Sequence, residues 1–135
     1  MINYDAIVIG LGGMGSAAAA ELARRGHRVL GLEQFAFDHT LGSSHGQTRI
    51  IRQAYFEHPD YVPLLQEAYT GWKALAATTN NELINLSGLL LSGPPAGEII
   101  AGTRTAAAIH DLPLESVSVE AARTRSPGLR FNDED

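Results

Sequence analysis

Asp5-Ala6-Ile7-Val8-Ile9-Gly10-Leu11-Gly12-Gly13-Met14-Gly15, near the start of a 135-residue chain, decides how the rest is read. Residues 5–10 form an apolar run closed by a glycine, the pattern of a buried parallel strand. A glycine turn follows, and then an alanine-rich helix over about residues 13–25, which Gly26 stops. Residues 28–33 form a second strand that ends on the carboxylate of Glu33. Gly10, Gly12 and Gly15 stand in G-x-G-x-x-G spacing, so the stretch reads as the opening of a βαβ dinucleotide-binding unit.

Each residue type has a physical reason to be there. Gly10 permits the sharp strand-to-helix turn, and Gly12, lacking a Cβ, lets a pyrophosphate approach the backbone. Gly15 lets the helix pack closely on the strands. The first helical turn, with Gly13 and Met14, offers unpaired amides and a partial positive charge to phosphates. Glu33, with Gln34 beside it, stands eighteen residues after Gly15, where a carboxylate accepts hydrogen bonds from ribose hydroxyls. A carboxylate there disfavours a 2′-phosphate, and no arginine follows at once, so NADP is not expected. The fingerprint alone does not separate FAD from NAD.

Composition bounds the remaining choices. Hydrophobic residues make up 44% and charged residues 19%, the balance of an ordinary globular protein. A net charge of −5 argues against a nucleic-acid partner. With no cysteine, disulfides and thiolate metal sites are ruled out, and a reducing, cytoplasmic setting is the expectation. No apolar run is long enough to span a membrane, and the start lacks the basic region of a signal peptide. A dinucleotide fold needs more strands than one βα unit supplies, so the chain is expected to be the N-terminal part of a longer protein.

Beyond the second strand, residues 34–45 read as a loop and residues 46–55 as either a helical turn or an extended segment. Residues 60–77 read as a helix, with Asp60 as N-cap, Pro63 in the first turn, and an apolar stripe of Leu64, Leu65, Ala68, Trp72 and Leu75. Two short strands are expected at residues 83–86 and 89–91, and a turn at 93–97. A helix is expected over 98–110 with Ile99, Ile100, Ala106 and Ile109 inward. A third strand is read at 112–117, and a short helix with Ser118 as N-cap at 118–124. Tyr61, Tyr69 and Trp72 are read as core packing. His39, His58 and His110 are read as surface residues, not metal ligands.

The second informative stretch is Gly42-Ser43-Ser44-His45-Gly46-Gln47-Thr48-Arg49-Ile50-Ile51-Arg52. Small and hydroxyl residues suit a close approach to a ligand, and it follows directly on the strand that carries Glu33. Ligands gather at the carboxyl ends of such strands. His45, Arg49 and Arg52 would share a face in a helical turn and diverge in an extended segment. The plainer reading is a solvated basic segment pairing with Glu57 or Asp60. The functional reading is a set of fixed cations for a substrate carboxylate or a reduced flavin.

The glycine fingerprint, Glu33, this block continuing to Gln53-Ala54-Tyr55, and then Tyr61-Val62-Pro63-Leu64 together resemble the monomeric sarcosine oxidase and N-methyltryptophan oxidase family of flavoproteins. Ser87-Gly88-Leu89-Leu90-Leu91-Ser92-Gly93-Pro94 is similar to a later strand and turn of that family. The resemblance implies an α/β chain: an incomplete Rossmann-like βαβ FAD-binding fold over residues 1–55, then a helical connection and the start of an α+β substrate domain over residues 56–135. It implies FAD as cofactor. It also implies oxidation of a secondary or N-methyl amino acid to an imine, with molecular oxygen as final acceptor and peroxide as product. By position Arg52 would bind the substrate carboxylate, while His45 and Arg49 would line the flavin. Ser43, Ser44, Thr48, Arg49 and Ile50 would contact FAD. Gln47 and Ser44 depart from the residues usual there, and the family's covalent flavin cysteine and catalytic lysine lie beyond this length. The missing C-terminal portion of the same enzyme would be a partner, and the chain alone is expected to be inactive. The alternatives are an NAD-dependent dehydrogenase, in which the block 42–52 has no role, and a non-catalytic dinucleotide-binding module.

Overall fold

Parallel pairing of β1 (Ala6–Ile9) with β2 (Val29–Leu32) through α1 (Gly13–Arg24) gives the first part of the chain its βαβ form. The computed structural model describes residues 2–37 and 39–132. They divide into two units, Met1–Ile50 and Ile51–Asp135.

In the first unit Ala6 faces Val29 and Ile9 faces Leu32 across the sheet. Asp5 fastens the open end: its carboxylate accepts from the Arg28 amide at 2.7 Å while its own amide donates to the Arg28 carbonyl at 2.8 Å. Gly15, Ala19 and Leu22 form the less exposed face of α1, the four- and three-residue spacing of a helix stripe. The helix ends as its glycine requires. Gly26 takes φ +88°, and the His27 and Gly26 amides donate back to the Leu22 and Ala23 carbonyls at 3.1 and 2.9 Å, a Schellman closure.

The expectation of a buried first strand fails. Ile7 and Ile9 are 58% and 85% exposed. Only two strands are paired among the described residues, so one face of β1 has α1 and the other has nothing to cover it. A continuous apolar run records burial on both faces only when layers lie on both.

The second unit holds α2 (Tyr61–Thr79), α3 (Glu98–Ile109) and α4 (Val119–Arg125). All three stand close to their expected bounds. Asp60 occupies the N-cap position of α2 but does not cap it: its backbone is already helical, and its side chain makes no cap bond and sits near His58 instead. Ser118 does cap α4, its hydroxyl accepting from the Ala121 amide at 3.2 Å.

Which faces are buried differs in part from the sequence reading: Ala106 is inward as expected and Ile100 is half-buried. The core is Val62, Ala106, Ala107 and Ala122, with Thr103 buried among them. Leu64, Trp72 and Leu75 on α2 are exposed, as are Ile99 and Ile109 on α3. Close approach explains the choice on α3: a Cβ on Gly102 would stand 2.3 Å from the Phe56 carbonyl oxygen. A helix set this tightly against backbone presents small residues there and leaves Ile99 and Ile109 outside. Tyr61 and Trp72 are likewise exposed rather than core, whereas the Tyr69 hydroxyl donates to the Ile51 carbonyl at 2.9 Å.

No strand forms at 83–86, 89–91 or 112–117. Their apolar sequences suit strands, but a strand exists only with a partner to receive its amides, and the described residues offer none. No described helix is long and apolar enough to cross a membrane.

Candidate functional site

The site of the first unit is built on the turn between β1 and α1. Gly10 takes φ +86°, a conformation costly for any residue with a Cβ. Its amide donates to the Leu32 carbonyl at 2.7 Å, so the sheet ladder runs up to the turn. Gly15 has no room for a side chain: a Cβ would stand 1.8 Å from the Gly10 oxygen and 3.4 Å from Val8 Cγ1. Gly12 is the opposite case. A Cβ there would meet nothing within 4 Å, so the backbone at the N-cap of α1 faces open space.

That N-terminus is electrostatically bare. Gly12 supplies no side-chain cap, and the first turn, with Gly13 and Met14, carries no acid. The amide dipoles there are thus left for an anion. Ser44 comes against this turn, since a Cβ on Gly13 would be 2.5 Å from its hydroxyl oxygen. Met14 is 88% exposed beside it.

Glu33 lies immediately after β2 and turns back onto the glycine loop. Its Oε2 accepts from the Leu11 amide at 2.7 Å, and its Oε1 accepts from the Gln34 and Phe35 amides at 2.8 and 3.2 Å. The Leu11 amide, and then that of Phe35, hold this carboxyl below the ordinary glutamate range, against a smaller opposing effect of burial. A carboxylate offers about four lone-pair sites, so three amides leave Oε2 with capacity for a further donor beside the turn. Sequence reasoning placed Glu33 here as a ribose ligand and did not see its grip on Leu11.

It also missed His39. This residue is half-buried rather than a surface residue, with Nε2 3.8 Å from Glu33 Oε1 and its ring edge-on to Phe35 at 5.1 Å. Its only sequence signal is its position in the loop shortly after the strand-end carboxylate. His110 is also half-buried rather than on the surface, whereas His58 is exposed.

Residues 42–50 make no helix, so His45 and Arg49 are not set on one helical face. The loop is closed by the His45 amide donating to the Gly42 carbonyl at 3.0 Å. Arg49 folds back over Gly46 and donates to the Ser43 and Thr48 carbonyls at 3.0 and 2.8 Å. Ser43, Ser44, His45, Thr48, Arg49 and Ile50 all remain exposed. The structure thus gathers Gly10, Gly12, Gly13, Met14, Gly15, Glu33, Gln34 and Ser44 at one turn, with the other loop residues along the segment that follows.

Arg52 belongs to the second unit. Its guanidinium lies 4.2 Å from the centroid of Tyr55 and 4.7 Å from that of Phe56, and it donates to Glu57 Oε1 at 2.5 Å. Burial works against its charge most strongly, but Tyr55 and Glu57 together outweigh burial and raise its pKa above the ordinary arginine value. The arrangement shows that this cation takes a carboxylate in a partly buried aromatic setting. Glu57 is one of the two partners that the plainer sequence reading named.

An adenine dinucleotide fits the residues of the first unit. The open backbone at Gly12, the uncapped amides of α1 and the spare lone pair of Glu33 match a pyrophosphate and a ribose in the order that the chain presents them.

The FAD dependent oxidoreductase family, DAO, matches residues 5–133. A monomeric sarcosine oxidase of Streptomyces avermitilis is 50% identical over 133 residues, covering 98% of this chain and 35% of the relative. A monomeric sarcosine oxidase of a Bacillus species is 38% identical over 128 residues, covering 94% of this chain and 33% of the relative. An N-methyl-L-tryptophan oxidase of Yersinia pestis is 37% identical over 132 residues, 98% of this chain and 36% of the relative. The chain thus spans about a third of the length of the curated relatives it matches. A match that runs through the glycine turn, Glu33 and the Arg49–Arg52 segment to residue 133 means that the chain belongs to the FAD-dependent oxidoreductase family.

Proposed function

We propose that this chain supplies the adenine-nucleotide end of an FAD-dependent oxidase acting on a secondary or N-methyl amino acid, with oxygen as electron acceptor and peroxide as product. The observation that carries the proposal is the juxtaposition of an open, uncapped helix N-terminus at Gly12 with Glu33 held at the tip of β2. When bound, FAD supplies the two-electron acceptor for amine oxidation. The chain's own residues bind and orient. Gly12, Gly13, Met14 and Gly15 present amides to the pyrophosphate, and Glu33, with Gln34 beside it, takes the adenosine ribose. Ser43, Ser44, Thr48 and Ile50 form the loop alongside. His45 and Arg49 line the isoalloxazine side and favour negative charge there. Arg52 binds the substrate carboxylate, a role suited to its aromatic setting and its present carboxylate partner Glu57.

The substrate class rests on the relatives, whose names specify sarcosine and N-methyl-L-tryptophan. The 135-residue chain alone gives no turnover, since it spans only a third of those enzymes. The cytoplasm is its proposed location, in keeping with a chain that contains no cysteine.

Two measurements test this. Titration of the purified chain should quench FAD fluorescence and be reversed by ADP, with NAD far weaker; preference for NAD would instead favour a dehydrogenase. A chimera in which this chain replaces the matching third of the Streptomyces relative should produce peroxide from a secondary amino acid. A folded, flavin-loaded chimera with no such activity would sink the substrate reading.

A further inference from the structure

We infer that His39 is a positioning residue for the adenosine end of the site, acting through Glu33. The inference rests on the FAD reading above for its ligand, but not for its geometry. The backbone amide of Leu41 donates to His39 Nδ1 at 3.1 Å. A nitrogen that accepts carries no proton, so the ring proton stands on Nε2. That is the edge that faces Glu33 Oε1, at 3.8 Å. Leu41 thereby selects the tautomer that turns a positive edge toward the carboxylate.

Two contacts hold the ring and a third holds its backbone. Phe35 packs edge-on against it at 5.1 Å and 68°. The His39 amide donates to the Ala36 carbonyl at 3.1 Å, and Leu41 fixes Nδ1. Phe35 also donates to Glu33, so one short segment sets both the histidine and the carboxylate. The two side chains are only 16% and 9% exposed, so their attraction is screened less than that of a surface pair.

The consequence lies at Oε2. His39, Gln34 and Phe35 draw on Oε1 and leave Oε2 turned to the Leu11 amide. That orientation keeps the remaining lone pair of Oε2 at the glycine turn, where ribose hydroxyls would donate. Removing the imidazole frees the carboxylate to rotate away from Leu11, and both the loop and the ribose acceptor lose their fixed position.

The experiment uses the 135-residue chain with two readouts. In the absence of flavin, His39→Ala should move the amide NMR resonances of Leu11, Gln34 and Phe35 and leave those of α3 unchanged. With FAD as titrant, His39→Ala should weaken binding about fivefold, and His39→Gln, whose amide can still donate to Glu33, should restore most of the loss. His39→Ala added to Glu33→Gln should cost no more than Glu33→Gln alone, because the two residues act as one unit. Additive losses, or a Leu11 resonance indifferent to His39, would overturn the inference. A parent chain that takes up no FAD while Leu11 responds to His39 would support the coupling and overturn the FAD reading instead.

Discussion

Gly12→Ala and Gly15→Ala add the same methyl group three residues apart, and the structure assigns them different failures. At Gly15 the new Cβ would stand 1.8 Å from the Gly10 carbonyl oxygen. An ordinary carbon–oxygen contact is about 3.3 Å, so α1 and the loop must separate by about 1.5 Å. Overpacking of this kind costs about 1–3 kcal/mol. The first unit has little to set against that, since among the described residues every buried apolar side chain lies in the second unit. Its βαβ element should therefore open locally. Binding suffers separately: a shift beyond 1 Å takes the first-turn amides out of hydrogen-bond range. Loss of two bonds to a charged group, at about 1.5 kcal/mol or more each, weakens FAD binding at least 100-fold.

At Gly12 the new Cβ meets no atom within 4 Å and replaces a glycine N-cap at a cost of about 0.5 kcal/mol. The fold should survive while the methyl occupies the approach of the pyrophosphate. The assay pairs an FAD fluorescence titration with hydrogen exchange at the amides of β1. Gly15→Ala should lose both binding and protection, and Gly12→Ala only binding. If Gly12→Ala bound FAD within twofold of the parent, the phosphate does not approach there. Retained protection in Gly15→Ala would show that the close packing is not needed.

Four further outcomes follow from the same geometry. Glu33 has a depressed pKa, so its contribution to stability is fully present above the ordinary glutamate value and is lost as pH falls through the folded one. Glu33→Gln should therefore flatten the acid limb of the first unit's hydrogen-exchange stability, and an unchanged limb would refute the clamp on Leu11. Arg52→Lys in the enzyme chimera should raise KM for the amino acid at least tenfold with FAD content unchanged, since the ammonium cannot take a carboxylate bidentately. Ser118→Ala should destabilise α4 by about 1 kcal/mol, read as faster exchange at the Ala121 and Ala122 amides. The isolated chain, with Ile7, Ile9 and Trp72 exposed, should self-associate with rising concentration in sedimentation velocity, whereas a concentration-independent monomer would count against the exposed faces.

Much of the candidate site was legible because its requirements are local. A strand that must turn sharply into a helix needs a residue tolerant of positive φ, and Gly10 at +86° meets that need within its own backbone. Helix limits were read for the same reason: the Gly26 closure of α1 and the Ser118 cap of α4 involve amides only a few residues away. The pattern of small residues at Gly12 and Gly15 announced close approach, though not that one faces open space and the other a carbonyl.

The βαβ order, the glycine turn, the carboxylate at the end of β2 and the approximate limits of four helices follow from local sequence, because backbone preference and capping act within a turn or two of chain. Tertiary structure decided the rest. It left 83–86, 89–91 and 112–117 unpaired, because a strand's hydrogen bonds belong to a neighbour that its own residues cannot name. It buried Thr103 and Ala107 of α3 beside Ala106 and left Ile99 and Ile109 outward, because the close approach of Gly102 to Phe56 fixed which face was near. It also set Glu33 on Leu11, twenty-two residues away, with His39 against it, since the direction in which a carboxylate points depends on donors that only folding delivers.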